Sequence, residues 1–307
     1  RDALAQAQAV FLAPRDVGPE RPHMTVAVVG TRGGVGASSM ATSLAWMLSE
    51  KKKRPTALLD LDIHFGTNAL AMDLEPGRGL TDAIENPSRI DGLFIERAMV
   101  RASDMLAILS AEAPINQPMM TDGGAFYQLL EEFRQAFECS IIDLPRNMLI
   151  QHTHLMTDVN VAVVVTELSL AAARDTIRIL SWLKSNAPQA RILVVANRVH
   201  PGAPEISRKD FEQSIERKVD VIVPFDLRIA AQAAKLGKTL AETAKGSKVG
   251  AACTAMMDEV LGLAGDEADN PGAKSAARKG DSLLGKIGDF KSMIPSRRKD
   301  KATALEG

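Results

Sequence analysis

The feature that most constrains this chain is a glycine-rich loop set between an apolar, β-branched run and a helical segment. Thr25–Gly30 leads straight into Gly30-Thr31-Arg32-Gly33-Gly34-Val35-Gly36-Ala37-Ser38-Ser39, and helical spacing follows. Glycines let the backbone turn tightly and aim its N–H groups inward. The helix behind them adds the positive end of its dipole, so the loop is built to hold phosphate. A serine at position 38 can place its hydroxyl on the magnesium ion that accompanies such a phosphate. Taken alone, the loop also suits a dinucleotide, or a strand-to-helix turn with no ligand. The rest of the chain has to decide.

Short apolar runs recur at Thr25–Gly30, Thr56–Leu61, Met105–Leu109, Cys139–Leu144, Asn160–Thr166, Arg191–Asn197 and Val219–Val223. Longer segments with helical periodicity lie between most of them, such as Ala125–Phe137 and Leu168–Asn186. Continuous apolar strands alternating with helices predict an α/β fold, a mainly parallel sheet of about seven or eight strands covered on both faces. Ligands of such folds sit at the carboxyl ends of strands. Two of those ends carry acids: Asp60 and Asp62 after the second run, and Asp143 after the fourth. Asp60 and Asp62 share parity if the strand runs through both. His64 reads as a surface loop histidine.

The loop resembles that of the MinD and ParA relatives, a deviant Walker A motif with two lysines, Lys-Gly-Gly-x-Gly-Lys-Ser/Thr. Gly33, Gly34, Gly36 and Ser38 match it. Both lysines are replaced. Arg32 stands where the signature lysine reaches across a dimer to the partner's nucleotide, and Ala37 stands where the ordinary lysine contacts the β- and γ-phosphates. Arginine still neutralises phosphate, and does so bidentately. Alanine cannot, so nucleotide affinity, phosphoryl transfer or both are expected to suffer. Loss of that lysine in an otherwise intact loop most resembles CpaE/TadZ, the ATPase-like factor of bacterial Tad pilus assembly.

What the resemblance implies covers residues 24–264. ATP or ADP with Mg²⁺ is the expected ligand. Gly33, Gly34, Val35, Gly36, Ala37, Ser38 and Ser39 would cradle the phosphates. Asp60 and Asp62 resemble the segment that organises Mg²⁺ and the attacking water, and Asp143-Leu144-Pro145 resembles a Walker B end; Ser38, Asp62 and Asp143 would hold the metal, with Asp62, Arg32 and Asp60 catalytic. Arg146 and Asn147 replace the small residues usual after such an end. Asn197 and Arg198, followed by Pro224, Phe225 and Asp226, resemble the adenine side of the site, where an asparagine can offer a donor and an acceptor to a purine edge. Lys235–Leu240 also has the family's look and reads as structural.

The implied protein is an ATP-dependent homodimer and slow ATPase, a localisation scaffold that recruits pilus-assembly or secretion ATPase components. It would be cytoplasmic and peripheral to the inner membrane at a cell pole. An active ParA- or MinD-type ATPase positioning DNA or division machinery is one alternative, and a non-hydrolysing scaffold the other. A net charge of -1 and 4% aromatic residues give no support to specific nucleic-acid binding. Cys139 and Cys253 read as buried free thiols. Residues 1–23, broken by Pro14, Pro19 and Pro22, read as the tail of something upstream followed by a linker, and the resemblance implies that a receiver-like domain would precede it. Residues 265–280 read as a flexible linker, and 281–307 as an amphipathic, basic tail for a membrane surface or a protein groove.

Overall fold

The computed structural model describes residues 21–116, 119, 123–200, 202 and 205–265. Most of the expected upstream linker, nearly all of the linker at 265–280 and the whole tail at 281–307 lie outside the described residues. The strands are β1 (Met24–Gly30), β2 (Thr56–Asp60), β3 (Val100–Ser103), β4 (Leu106–Leu109), β5 (Cys139–Asp143), β6 (Val161–Thr166), β7 (Arg191–Val199) and β8 (Val221–Pro224). They form one sheet in the order β3-β4-β2-β5-β1-β6-β7-β8. Every pairing is parallel except β3–β4. This is the expected architecture with one addition. The antiparallel edge strand β3 was missed because Val100-Arg101-Ala102-Ser103 is half-exposed and carries no apolar run.

Helices cover both faces because the central strands are apolar on both. Along β1, Val26 and Val28 join one buried cluster with Met40, Ala41 and Leu44 of α1 (Ala37–Trp46). Ala27 and Val29 join the other. There they meet residues of α2 (Gly79–Glu85), α3 (Gly92–Ala98), α4 (Gly123–Ala136) and α6 (Leu170–Asn186), which follows the short α5 (Arg146–Gln151). Each fully buried Val, Leu, Ile or Phe contributes roughly 1.5–3 kcal/mol relative to exposure, so these two layers dominate stability. A third cluster joins Ala172 of α6 to Val194 of β7 and Phe211 of α7 (Arg208–Ser214). Beyond β8 come α8 (Leu227–Leu236), α9 (Leu240–Thr243) and α10 (Lys248–Leu263), and α10 returns to the α1 face.

The topology puts the chemistry in one place. From β1 the chain crosses to β2 on one side, and later strands fill the other, so β1 sits at the switch point of the sheet. Its neighbour β5 places Asp143 beside Val28, and Asp60 of β2 beside Asp143. Gly30, Asp143 and Asp60 therefore end three adjacent strands.

The closest backbone approach on the α1 face is made by Gly250, near the start of α10. A Cβ there would lie 2.2 Å from the carbonyl oxygen of Ala244. Gly250→Ala is expected to destabilise the fold by about 1–3 kcal/mol. Urea unfolding checks this, with a lower midpoint and unchanged slope as the predicted result.

Candidate functional site

The glycine-rich loop leaves β1 at Gly30 and reaches α1 through two left-handed residues, Gly34 (φ 79°) and Gly36 (φ 90°). Cβ atoms at Gly33 and Gly34 would meet nothing within 4 Å, so this side of the loop is open. The first turn of α1 holds no acid, and no side chain caps it. Its free N–H groups and dipole are left for an anion. The far side of the loop is braced. The Thr31 amide donates to the Val165 carbonyl at 2.9 Å, and a chain of hydroxyls runs from Thr31 through Thr166 of β6 to Thr176 of α6. Three side chains donate to loop carbonyls: Arg146 to Thr31 at 3.0 Å, Arg198 to Gly34 at 2.6 Å and Asn197 to Val35 at 2.8 Å.

The loop forms one wall of a cleft of about 840 Å³, within the range of small-molecule sites. Asp62, Asp143 and residues 144–147 form a second wall, and Asp175, Arg178 and Trp182 of α6 a third. Asp143 accepts a hydrogen bond from the Ser38 hydroxyl and another from Asn68 Nδ2 at 3.0 Å. Burial raises its pKa, the two hydrogen bonds partly offset that, and the Asp62 charge adds to the rise. Asp60 is buried as well, and desolvation followed by repulsion from Asp143 pushes its pKa up to about 7. Two in-register buried carboxylates whose ionisation is disfavoured are a pair that a divalent ion would relieve. A hydroxyl with one or two carboxylates suits Mg²⁺, which takes oxygen ligands and keeps several waters. Among the described residues no group of three or more His, Cys, Asp or Glu is poised for a metal.

Arg32 turns toward α6, where its Nη1 lies 3.3 Å from Asp175 Oδ2. Arg174 takes the other oxygen at 2.8 Å, and the hydrogen bond from Arg174 is the main reason the Asp175 pKa is lowered. Gly33, Gly34, Val35, Gly36, Ala37, Ser38, Ser39, Asp62 and Asp143 all line the cleft with Arg32.

Other expectations need correction. β2 stops at Asp60, so Asp60 and Asp62 do not share a strand face. Asp60 does not line the cleft. Its two oxygens accept the amides of Asp62 and Asn68, each at 3.1 Å, so it organises the following loop. Asn197 braces the loop. Its amide nitrogen holds Val35 O and its oxygen accepts the Arg198 amide, because Arg198 adopts a positive φ of 58° and folds the strand end back on the loop. Pro224, Phe225 and Asp226 stand apart from the cleft lining. Asp226 caps α8 through the Ile229 amide, and Phe225 stacks on His200 with centroids 4.1 Å apart.

Sequence reasoning missed Asn68, Asp175, Arg178 and Trp182. Asn68 carries a usable signal, an asparagine eight residues beyond a strand-ending aspartate; it is buried and joins the Asp60 loop to Asp143. The three α6 residues meet the cleft only through the tertiary fold. Among the described residues no helix is long and apolar enough to cross a membrane.

Comparison with known proteins agrees with this geometry. A family model described as ParA, NUBPL iron-transfer P-loop NTPase, matches residues 22–261. The ESX-1 secretion-associated protein EspI of Mycobacterium tuberculosis is 24% identical over 220 residues, 69% of this chain. The chain spans only 33% of the length of that relative. A ParA family ATPase from Chlorobium tepidum has the same fold with a TM-score of 0.70 at 18% identity, covering 79% of this chain and 99% of its own. The septum site-determining protein MinD from Pyrococcus horikoshii, solved with Mg-ADP, gives 0.66 at 18% identity, covering 80% and 99%.

Two outcomes follow from the site. A Cβ on Gly36 would lie 2.4 Å from Asn197 Nδ2 at a φ that side chains rarely adopt. Gly36→Ala should break the Asn197 brace and weaken binding of phosphate ligands at least about tenfold, the loss of one good hydrogen bond or more; equilibrium dialysis measures it. For Asp60 the folded pKa of about 7 lies above the ordinary 3.8, so the folded protein holds the extra proton between those values. Its contribution to stability is therefore lost as pH rises from about 4 to about 7 without Mg²⁺, and Asp60→Asn should remove that part of the slope in denaturant titrations.

Proposed function

The chain belongs to the ParA family of P-loop NTPases, and from that premise we propose that it binds ATP with Mg²⁺, closes into a homodimer and hydrolyses the nucleotide slowly. The observation that carries this reading is one cleft lined by the glycine-rich loop, whose Gly33 and Gly34 are open on this side, together with Ser38, Asp62 and Asp143. The amides of Gly33–Ser39 would bind the phosphates. Ser38, Asp62 and Asp143 would hold Mg²⁺, which neutralises charge on the β- and γ-phosphates when bound. Asp62, at the open side, would also orient the attacking water. Arg32 is on the cleft wall with its guanidinium tied to Asp175, so closing the dimer would require it to exchange that carboxylate for phosphate.

Ala37 supplies no charge where catalysis depends on positioned charge, which supports slow turnover and a role as a timer. That replacement also supports kinship with CpaE/TadZ and hence a scaffold for Tad pilus assembly at the inner membrane or cell pole. Likeness to a secretion-associated relative over 69% of the chain is consistent with secretion or pilus partners. An iron-transfer role has less support. Clusters need exposed thiolates, and both cysteines are buried, Cys253 with a pKa pushed up to about 11 by burial. A motor that positions DNA or division machinery is the second reading, favoured by the fold it shares with the MinD of Pyrococcus horikoshii.

Light scattering after gel filtration, with ADP·Mg²⁺ and with ATP·Mg²⁺, tests the switch. The expected result is a monomer with ADP and a dimer with ATP, together with turnover that Ala37→Lys raises. A monomer under both conditions contradicts the proposal, and turnover strongly stimulated by DNA would move the protein to the second reading.

A further inference from the structure

The cleft replaces its missing lysine from another element. We propose that Arg146, the first residue of α5, supplies the cation that contacts the terminal phosphate of the bound triphosphate in place of a lysine at position 37. This rests on the nucleotide-binding reading above and adds a residue that nothing in the loop sequence assigns.

Three observations carry it. First, Ala37 lines the cleft but ends at Cβ, so the start of α1 brings backbone dipoles and no side-chain charge to the phosphates. Second, the cleft holds three arginines besides the backbone: Arg32, Arg146 and Arg178. Arg32 is held by Asp175, which Arg174 also grips. Arg178 lies on α6, on the opposite wall. Third, Arg146 is already at the loop. It follows Asp143 by three residues, and its Nη1 donates to the Thr31 carbonyl at 3.0 Å. Asp175 also feels the charge of Arg146, but no direct ion pair ties the two. A guanidinium has five N–H groups in a rigid fork, so one bond to the backbone leaves others for phosphate oxygens. Its anchor also limits the rotamer freedom that a flexible lysine would lose on binding.

The position has a consequence that a loop lysine would not. Asp143 and Arg146 are separated only by Leu144 and Pro145, so the acid facing the magnesium and the cation facing the terminal phosphate lie on one short segment. A diphosphate would engage the loop amides but leave Arg146 on Thr31. A triphosphate would also engage its remaining N–H groups at the start of α5, whose Ile150 is exposed beside the cleft. Arg146 is thereby the residue that distinguishes ATP from ADP.

Equilibrium dialysis with ATP and with ADP, each with Mg²⁺, tests this on the full chain, its Arg146→Ala variant and the Arg146→Ala/Ala37→Lys double variant. The expected loss in Arg146→Ala is about tenfold to a hundredfold larger for ATP than for ADP, the usual range for a charge-assisted hydrogen bond, beyond the loss of the Thr31 brace that both nucleotides share. The ADP value reports what the lost brace alone costs, and the double variant should recover most of the ATP affinity lost beyond it. Equal losses for both nucleotides would mean that Arg146 only braces Thr31, which overturns the proposal. Unchanged ATP binding in Arg146→Ala overturns it too. If the unaltered chain binds neither nucleotide, the underlying reading of the cleft fails as well, a result distinct from the other two.

Discussion

A loop that turns its amides toward a cleft must turn carbonyls the other way, and those carbonyls need donors. Here the donors come from two different strand ends. Arg146 follows β5, while Asn197 and Arg198 lie in β7, and the hydroxyls of Thr166 and Thr176 extend the brace through β6 to α6. The open face of the loop is thus paid for by a satisfied back face. Without that brace the glycines would have no reason to hold one conformation, since their freedom is the largest of any residue.

The same arrangement explains the electrostatics. Parallel register between β2 and β5 brings Asp60 and Asp143 side by side at buried strand ends. Both carboxyls resist ionisation there, Asp60 up to about 7. Asn68 and Ser38 hold Asp143 in place, and Asp60 shapes the loop that presents Asp62. Asp62 and Asp143 bring negative charge to the cleft, and Arg32, Arg146 and Arg178 bring positive charge to it from three different elements. A magnesium-bearing polyphosphate complements both at once, with its metal toward the acids and its oxygens toward the loop and arginines.

Much of this was legible in the sequence, for physical reasons. Fully buried parallel strands leave uninterrupted apolar runs, so seven of the eight strands and their order along the chain were readable. The half-exposed edge strand β3 left no such run. The phosphate loop was readable because only glycine tolerates its turns. What sequence could not supply was direction. Asp60 and Asp62 look equivalent as letters, yet the strand ends between them and sends one inward to hold amides and the other to the cleft. Asn197 looks like a base reader, yet a left-handed Arg198 turns it onto the loop. Arg146 looked only like a departure from a family pattern until the fold set it against Thr31.

The account stands or falls on whether the cleft takes up nucleotide despite Ala37. Isothermal titration of ATP·Mg²⁺ into the folded chain measures that directly. Saturable binding near one nucleotide per chain, weakened by omission of Mg²⁺, is the predicted result. No heat of binding at millimolar nucleotide, from protein shown to be folded, would contradict it.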